Sequence, residues 1–391
     1  MQKDSFREKL QRFDAIRPFT PEELPQVYER LLADQQFRKV VAVIMPELTF
    51  EQFAERMRGC RTNLEFQKVF CYGFLEKLLA EASKGCTINT ASIDTDKRYT
   101  FVSNHRDIVL DSALLDKLLI DAGFGTTCEI AIGDNLLALP WVKDLVRVNK
   151  SFIVERSLPP KEMLAASRLL AEYMHFVISE KNDNVWIAQR EGRAKDSDDR
   201  TQPSILKMMA MGGEGTPLER LRQLHIVPLA ISYEYDPCDI LKAREFQCKR
   251  DNPAWKKTAQ DDIDSMRTGI MGYKGEIHYH CAPCIDSWLD TLSADMPKND
   301  LFEAVARHID REIHRNYRLF RSNFIAADLL SGEQRFAPHY SPEERAAFLH
   351  GYLNPRIDQI QIPQKDENFL RERMLTMYAN PLLNHLKAEK E

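Results

Sequence analysis

The spacing of apolar positions changes twice along the chain and divides it into three stretches. Up to about residue 85 the spacing is helical. Leu31, Leu32, Val40 and Ile44 precede Pro46, and Phe53, Met57, Leu64, Val69, Phe70, Phe74 and Leu78 follow it between Phe50 and Leu79. Thr20-Pro21-Glu22-Glu23 predicts a helix start, with Thr20 as cap, Pro21 at the first helical position and Glu23 completing a capping box.

From residue 86 short β-branched and aromatic runs alternate with helical spacing. Strands are predicted at 99–103, 128–132, 151–154, 184–188, 226–231 and 276–280. Between them a helix runs through Leu110, Leu114, Leu115, Leu118 and Leu119. A longer one runs from Pro160 to Lys181 with Met163, Leu170, Met174 and Val177 on one face. Thr216-Pro217-Leu218-Glu219 is a further capping box. Residues 238–275 are charged with little periodicity and read as a long excursion or lid.

After about residue 286 the pattern is helical again. Phe302, Val305, Ile309, Ile313 and Tyr317 share a face of one long helix, which also carries Arg311, Arg315, Arg318 and Arg321. Ser341-Pro342-Glu343-Glu344 starts another helix, with Gly351 as its stop, and a last helix spans about 367–387. The expected architecture is α/β, a mixed sheet flanked by helices, with helical N-terminal (1–85) and C-terminal (286–391) regions around an α/β domain at 86–285.

Composition narrows the function. Of 391 residues 43% are hydrophobic and 29% charged, the balance of a globular protein. The net charge of −5 makes nucleic acid an unexpected partner. No apolar run is long enough to span a bilayer, and the N-terminal Met1-Gln2-Lys3-Asp4-Ser5-Phe6-Arg7 lacks an apolar signal core, so a cytoplasmic location is expected. The eight cysteines are scattered, which argues against a disulfide framework.

The chemistry centres on Ser103-Asn104-His105-Arg106-Asp107-Ile108-Val109-Leu110-Asp111. His105 sits where a strand ends and a helix begins, a position that opens onto a crevice in α/β folds. A histidine there can act as a general base if a carboxylate fixes its tautomer, and Asp107 and Asp111 are both near in sequence. Read alone, the segment equally suits a helix N-terminus, with Asn104 as cap and the acids favouring the helix dipole. Downstream, Glu191-Gly192-Arg193-Ala194-Lys195 follows the strand at 184–188. An arginine- and lysine-rich turn containing glycine can hold a phosphate by charge-assisted hydrogen bonds, and Arg156 can join it; an ordinary charged loop is the plainer reading.

In this order the segments resemble the phospholipid/glycerol acyltransferase family, which includes glycerol-3-phosphate and 1-acylglycerol-3-phosphate acyltransferases. His105-Arg106-Asp107 resembles the start of its first motif. Gly133-Asp134-Asn135-Leu136 with Phe152-Ile153-Val154-Glu155-Arg156 resembles the second, Glu191-Gly192-Arg193 the third, and Ile226-Val227-Pro228-Leu229 the fourth. Lys274-Gly275-Glu276-Ile277-His278-Tyr279 is similar to the domain's closing strand. The family's aspartate stands five positions after the histidine; here that position is Leu110, and Asp111 follows one later. Asp111 is favoured as the partner of His105, with Asp107 the alternative. Arg193 follows Gly192 directly, without the family's intervening residue, so Lys195 is an alternative phosphate ligand.

The resemblance implies acyl transfer from a thioester, acyl-CoA or acyl-acyl-carrier-protein, to a glycerol-phosphate hydroxyl. His105 and Asp111 would be catalytic, with Arg106, Asp107, Arg156, Glu191, Gly192 and Arg193 around the substrate. No metal and no cofactor beyond the acyl co-substrate are expected. A lipid product implies peripheral attachment to the inner face of the membrane, through Arg7, Lys9 and Arg12 or through the late arginines, unless these helices simply pack on the core. Acyl carrier protein is a further candidate partner, and an amino-acid lipid an alternative acceptor.

Three other readings compete. His278-Tyr279-His280-Cys281-Ala282-Pro283-Cys284 can bind zinc or exchange thiols, although a strand end followed by a turn at Pro283 is the favoured reading. A hydrolase would use Ser103 or Ser112, but no Gly-x-Ser-x-Gly elbow is present. A nonenzymatic lipid-binding protein would leave the ordered motifs unexplained.

Overall fold

The computed structural model describes residues 2–156 and 158–390, with side chains from residue 6 onward. Among the described residues seven strands form one sheet: β1 Gly85–Asn89, β2 Thr100–Ser103, β3 Cys128–Gly133, β4 Ser151–Val154, β5 Asn184–Ala188, β6 Ile226–Tyr233 and β7 Glu276–Cys281. Their order is β1-β7-β6-β2-β5-β3-β4. Strands β2 to β6 are parallel neighbours, whereas β7 runs antiparallel to β6 and β1 pairs parallel with β7. The sheet is therefore mixed, as expected. Strand β1 was not foreseen, because its half-exposed edge position shows no clear alternation.

Both faces of the sheet are covered. One face presents Val102, Ile153, Val185, Ile187, Ile226 and Ala230 to helices Pro160–Phe176, Pro203–Met209 and Lys298–Arg315. The other presents Phe101, Trp186, Val227, Leu229, Ile231 and Tyr279 to helices Gly73–Ala82 and Leu110–Asp121. Burial on both sides explains why β6 reads as an unbroken apolar run; every residue in it is buried.

The flanking regions join this core. Phe13 and Ile16 pack in the first cluster, and so does helix Lys298–Arg315, so the compositional boundaries near 85 and 286 do not separate hydrophobic cores. A distinct N-terminal cluster gathers Leu24, Tyr28, Phe37, Phe53 and Phe70. A C-terminal one gathers Phe348, Leu353, Met374 and Tyr378 together with Ala243 from the 238–275 excursion. That excursion forms two helices, Asp239–Asp251 and Ala259–Met271.

Several local expectations are corrected. The first predicted helix starts at Leu24, not Pro21, because Glu23 is drawn into an ion pair with Arg17 while still accepting from the Thr20 amide at 2.7 Å. The long late helix ends at Arg315. Arg318 lies beyond it and pairs with Glu276 at 3.3 Å, and Arg321 opens the next helix, Arg321–Ser331. Gly351 does not stop its helix, which widens over Ala347–Leu353 and continues through Asn354–Asp358. Near the N-terminus, Lys9 binds Glu180 at 2.9 Å and Arg12 binds Glu172 at 2.7 Å, so these two cations face the protein's own surface. No helix among the described residues is long and apolar enough to cross a membrane.

Candidate active site

The carboxyl ends of β2, β3, β4, β5 and β6 lie along one edge of the sheet, and the sequence-selected residues follow them. Beyond β2, the buried Asn104 side chain exchanges hydrogen bonds with both the amide (2.8 Å) and the carbonyl (2.9 Å) of Ile231 on β6. This pins the turn that presents His105. The Trp186 ring on neighbouring β5 stands edge-on to the imidazole, 5.6 Å between centroids.

His105 Nδ1 lies 2.8 Å from Asp111 Oδ2. A carboxylate can only accept, so Nδ1 carries the proton, and in the neutral imidazole the lone pair then sits on Nε2. Asp111 is fully buried in the first turn of helix Leu110–Asp121, while the His105 side chain keeps 14% of its surface open to solvent. The same Oδ2 accepts the backbone amides of Arg106 (2.6 Å) and Asp107 (3.0 Å), and Oδ1 accepts the Tyr233 hydroxyl (3.2 Å). The Tyr279 hydroxyl donates to the Asp111 carbonyl at 3.0 Å. Chain turning at 106–107 accommodates the extra residue between histidine and aspartate, and the two side chains still meet.

Asp107 is occupied differently. Its Oδ1 accepts the amides of Val109 (2.9 Å) and Leu110 (2.8 Å), capping the same helix. Burial raises its pKa and the adjacent Asp111 charge adds to this; the two amides and the Arg193 charge oppose it. Its other oxygen faces Gly269 of helix Ala259–Met271, where a Cβ would lie 1.8 Å away. The excursion thus roofs the site, and only glycine fits at the crossing.

Beyond the other strands, Arg156 folds over Gly133, where a Cβ would come within 2.8 Å of Arg156 Nε. Its Nη1 reaches Glu191 at 4.0 Å, so the residues after β4 and β5 meet. Gly192 has φ +66, a conformation that favours glycine and sharpens the turn. Arg193 is half-buried, with Nη1 enclosed and unpartnered. Lys195, the alternative phosphate ligand, is bound to Glu245 at 2.7 Å. The loop is fastened from below by Asn380, which donates to the Asp196 carbonyl at 2.8 Å, and by Thr201 Oγ1 donating to Asp310 at 2.6 Å.

Arg106, expected at the substrate, points inward. It is 6% exposed, and its Nη2 pairs with Asp199 Oδ2 at 2.7 Å. Asp199 also accepts the Tyr317 hydroxyl at 2.6 Å. Sequence reasoning missed this support and three other buried groups. Lys242 pairs with Asp236 and donates to the Arg106 carbonyl at 3.2 Å. Burial pushes the Asp236 carboxyl up, but Lys242 outweighs it and holds the group below its usual range. Lys274 is fully buried, with its ammonium on the Ile270 carbonyl at 2.9 Å; burial lowers its pKa to about 8. Its place as the first residue of the closing-strand motif was the one available signal.

The Acyltransferase protein family matches residues 86–232, the stretch that holds β1 through most of β6. The chain is also similar in fold to the crystal structure of the 1-acyl-sn-glycerophosphate (LPA) acyltransferase PlsC from Thermotoga maritima. The two share 12% identity with a TM-score of 0.38, over 74% of this chain and 97% of the other. No curated protein sequence matches. Residues 86–232 of this chain are an acyltransferase-family domain, and the His105–Asp111 pair stands at the carboxyl edge of its sheet.

Proposed function

We propose that the chain moves a fatty acyl group from a thioester to the hydroxyl of a glycerol-phosphate acceptor, glycerol 3-phosphate or its 1-acyl derivative. The observation that carries this reading is the His105–Asp111 hydrogen bond, which leaves Nε2 as base on a side chain that keeps 14% of its surface open to solvent. Nε2 takes the acceptor's hydroxyl proton as the oxygen attacks the thioester carbonyl. The carbon–oxygen ester bond forms, the carbon–sulfur bond breaks, and the proton passes to the departing thiolate. Asp111 orients the imidazole and stabilises its cationic form.

A phosphorylated acceptor is favoured by one cation on the rim, Arg193. It lines a cleft between the Gly192 turn and the roof helices together with Lys195, Arg244, Trp255 and Lys257, where Lys195 and Lys257 pair with Glu245 and Arg244 pairs with Asp261. Arg193 Nη1, enclosed without a protein partner, is suited to a phosphate oxygen. Arg156 and Glu191 would position the acceptor beside it.

The acyl donor would be acyl-CoA or acyl-acyl-carrier-protein, and the enzyme would work at a cytoplasmic membrane surface. Exposed Leu139 and Leu164, both on segments that leave the catalytic edge, suit contact with lipid. Purified protein assayed with both donors against glycerol 3-phosphate, 1-acylglycerol 3-phosphate and an amino-acid lipid precursor tests the proposal. Transfer to a glycerol phosphate, lost in His105→Ala, is expected; near-normal turnover by that variant sinks the mechanism.

A further inference from the structure

The Cys281-Ala282-Pro283-Cys284 motif takes a different partner from the one its sequence offers. His278 alternates with His280 along β7, and its Nδ1 lies 2.8 Å from Thr87 Oγ1 on β1. Cys281 is buried in the sheet core. Cys284 leaves the strand and turns toward His225. There His225, Cys284 and Asp286 each bring a ligand atom to within 4.8 Å of the others.

Two separate chain segments build this cluster. His225 ends the turn before β6, and Cys284 and Asp286 follow β7. Main-chain hydrogen bonds hold the segments together, from Ile285 to the Ile226 carbonyl and from Ala282 to the Pro228 carbonyl, each 2.9 Å. His225 has φ +48, a conformation that non-glycine residues rarely adopt, and it places Nδ1 2.6 Å from Asp286 Oδ2. The other oxygen, Asp286 Oδ1, is enclosed without a protein partner.

We propose that His225, Cys284 and Asp286 bind a zinc ion at the amino edge of the sheet. The donor set is one thiolate, one imidazole and one carboxylate, the mixture that zinc accepts. Zinc bonds of about 2.0–2.3 Å place tetrahedral donors roughly 3.3–3.8 Å apart, so small side-chain rotations close the cluster around the ion. Thiolate and carboxylate together balance its charge. Arg222, a nearby cation, is already bound to Asp290 at 2.7 Å. A water would take the fourth position.

The ion would staple the start of β6 to the end of β7. The site lies away from His105, because Thr100 aligns with Ile226 and Ser103 with Leu229. At about 3.3 Å per residue, the length of β2 and its turns lies between the two. The role is therefore structural and independent of acyl transfer.

Zinc titration of the metal-free full chain against a chromophoric chelator tests this, with Cys284→Ser, His225→Ala and a control, Cys248→Ser. One zinc per chain is expected for wild type and the control, with binding weakened about 100-fold or more in the other two. Cobalt is expected to give a thiolate charge-transfer band that Cys284→Ser removes. His225 is solvent-exposed, so its variant tests the site without disturbing the core. Zinc is also expected to raise the melting temperature of wild type but not of His225→Ala. Absence of a stoichiometric zinc in wild type, or wild-type affinity in both variants, overturns the proposal.

Discussion

His105 Nδ1 and Asp111 Oδ2 are 2.8 Å apart, and that one oxygen also receives the amides of Arg106 and Asp107. The loop backbone therefore holds the carboxylate that holds the imidazole. Replacing His105 by Ala is expected to lower kcat by about 10²–10⁴-fold. Asp111→Asn keeps an acceptor for the amides but presents the wrong group to Nδ1, and a loss of similar order follows. Steady-state kinetics on folded variants check both, and a mild effect of Asp111→Asn would remove it from the mechanism.

Asp107→Ala separates a cap from a catalytic group. Loss of the two amide contacts is expected to cost about 0.5–2 kcal/mol of stability. Turnover should fall much less than in Asp111→Asn. Urea unfolding and kinetics on the same preparation distinguish the two residues.

The crossing of Gly269 over Asp107 leaves no room for a methyl group. Gly269→Ala is expected to lift the Ala259–Met271 helix or displace Asp107, at a cost of about 1–3 kcal/mol. Faster hydrogen exchange in residues 259–271, with reduced turnover, is the expected signature. Unchanged exchange and rate would mean that the roof does not bear on the site.

Arg193 and Arg156 sit on the rim, whereas Arg106 is internal. Arg193→Ala is expected to raise KM for a phosphorylated acceptor by about tenfold or more, equivalent to roughly 1.4 kcal/mol of binding. Arg156→Ala should act in the same direction. Arg106→Ala is instead expected to lower the melting temperature, because it strands Asp199 in the interior. Acceptor titrations and thermal melts tell these outcomes apart.

Asp116 accepts from Gln67 at 3.1 Å and from the Cys128 amide at 2.8 Å. Burial pushes its carboxyl up to about 7. An unfolded aspartate titrates near about 3.9, so between these values the folded chain keeps a proton that the unfolded chain releases. The resulting stabilisation is full below about pH 4 and is lost as pH rises through 7, about 2–4 kcal/mol in all. Asp116→Asn should flatten that decline. Unfolding midpoints measured from pH 4 to 8 test it, and parallel slopes for the two proteins would count against the assignment.

The legible parts of the fold were those where burial and hydrophobicity coincide. β6 is buried along its whole length and announced itself as an apolar run. β1 stayed hidden because Thr87 and Asn89 sit at a half-exposed edge. The roof was read as an excursion or lid because its buried positions include Asp239, Lys242 and Glu245, charged residues neutralised by Arg356, Asp236 and Lys195. The same blindness affected Arg106, whose inward course depends on Asp199. His105 was found from its place after a strand. Its link to Asp111 was favoured but open, since two acids, Asp107 and Asp111, flank the family's position at Leu110 and the turn at 106–107 decides between them.

Asp239 fastens the roof from outside the sheet: Oδ2 accepts the hydroxyls of Tyr352 (2.7 Å) and Tyr378 (2.9 Å), and Oδ1 accepts Arg356 Nε at 2.6 Å. All seven strands and both members of the dyad have left the ribosome before any of these three residues is made. The nascent chain can therefore pair imidazole with carboxylate while the roof is held through Lys242, on Asp236 and the Arg106 carbonyl, and through Glu245, on Lys195. The Asp239 anchorage is a late event in synthesis, set by the docking of the helices that carry Tyr352, Arg356 and Tyr378.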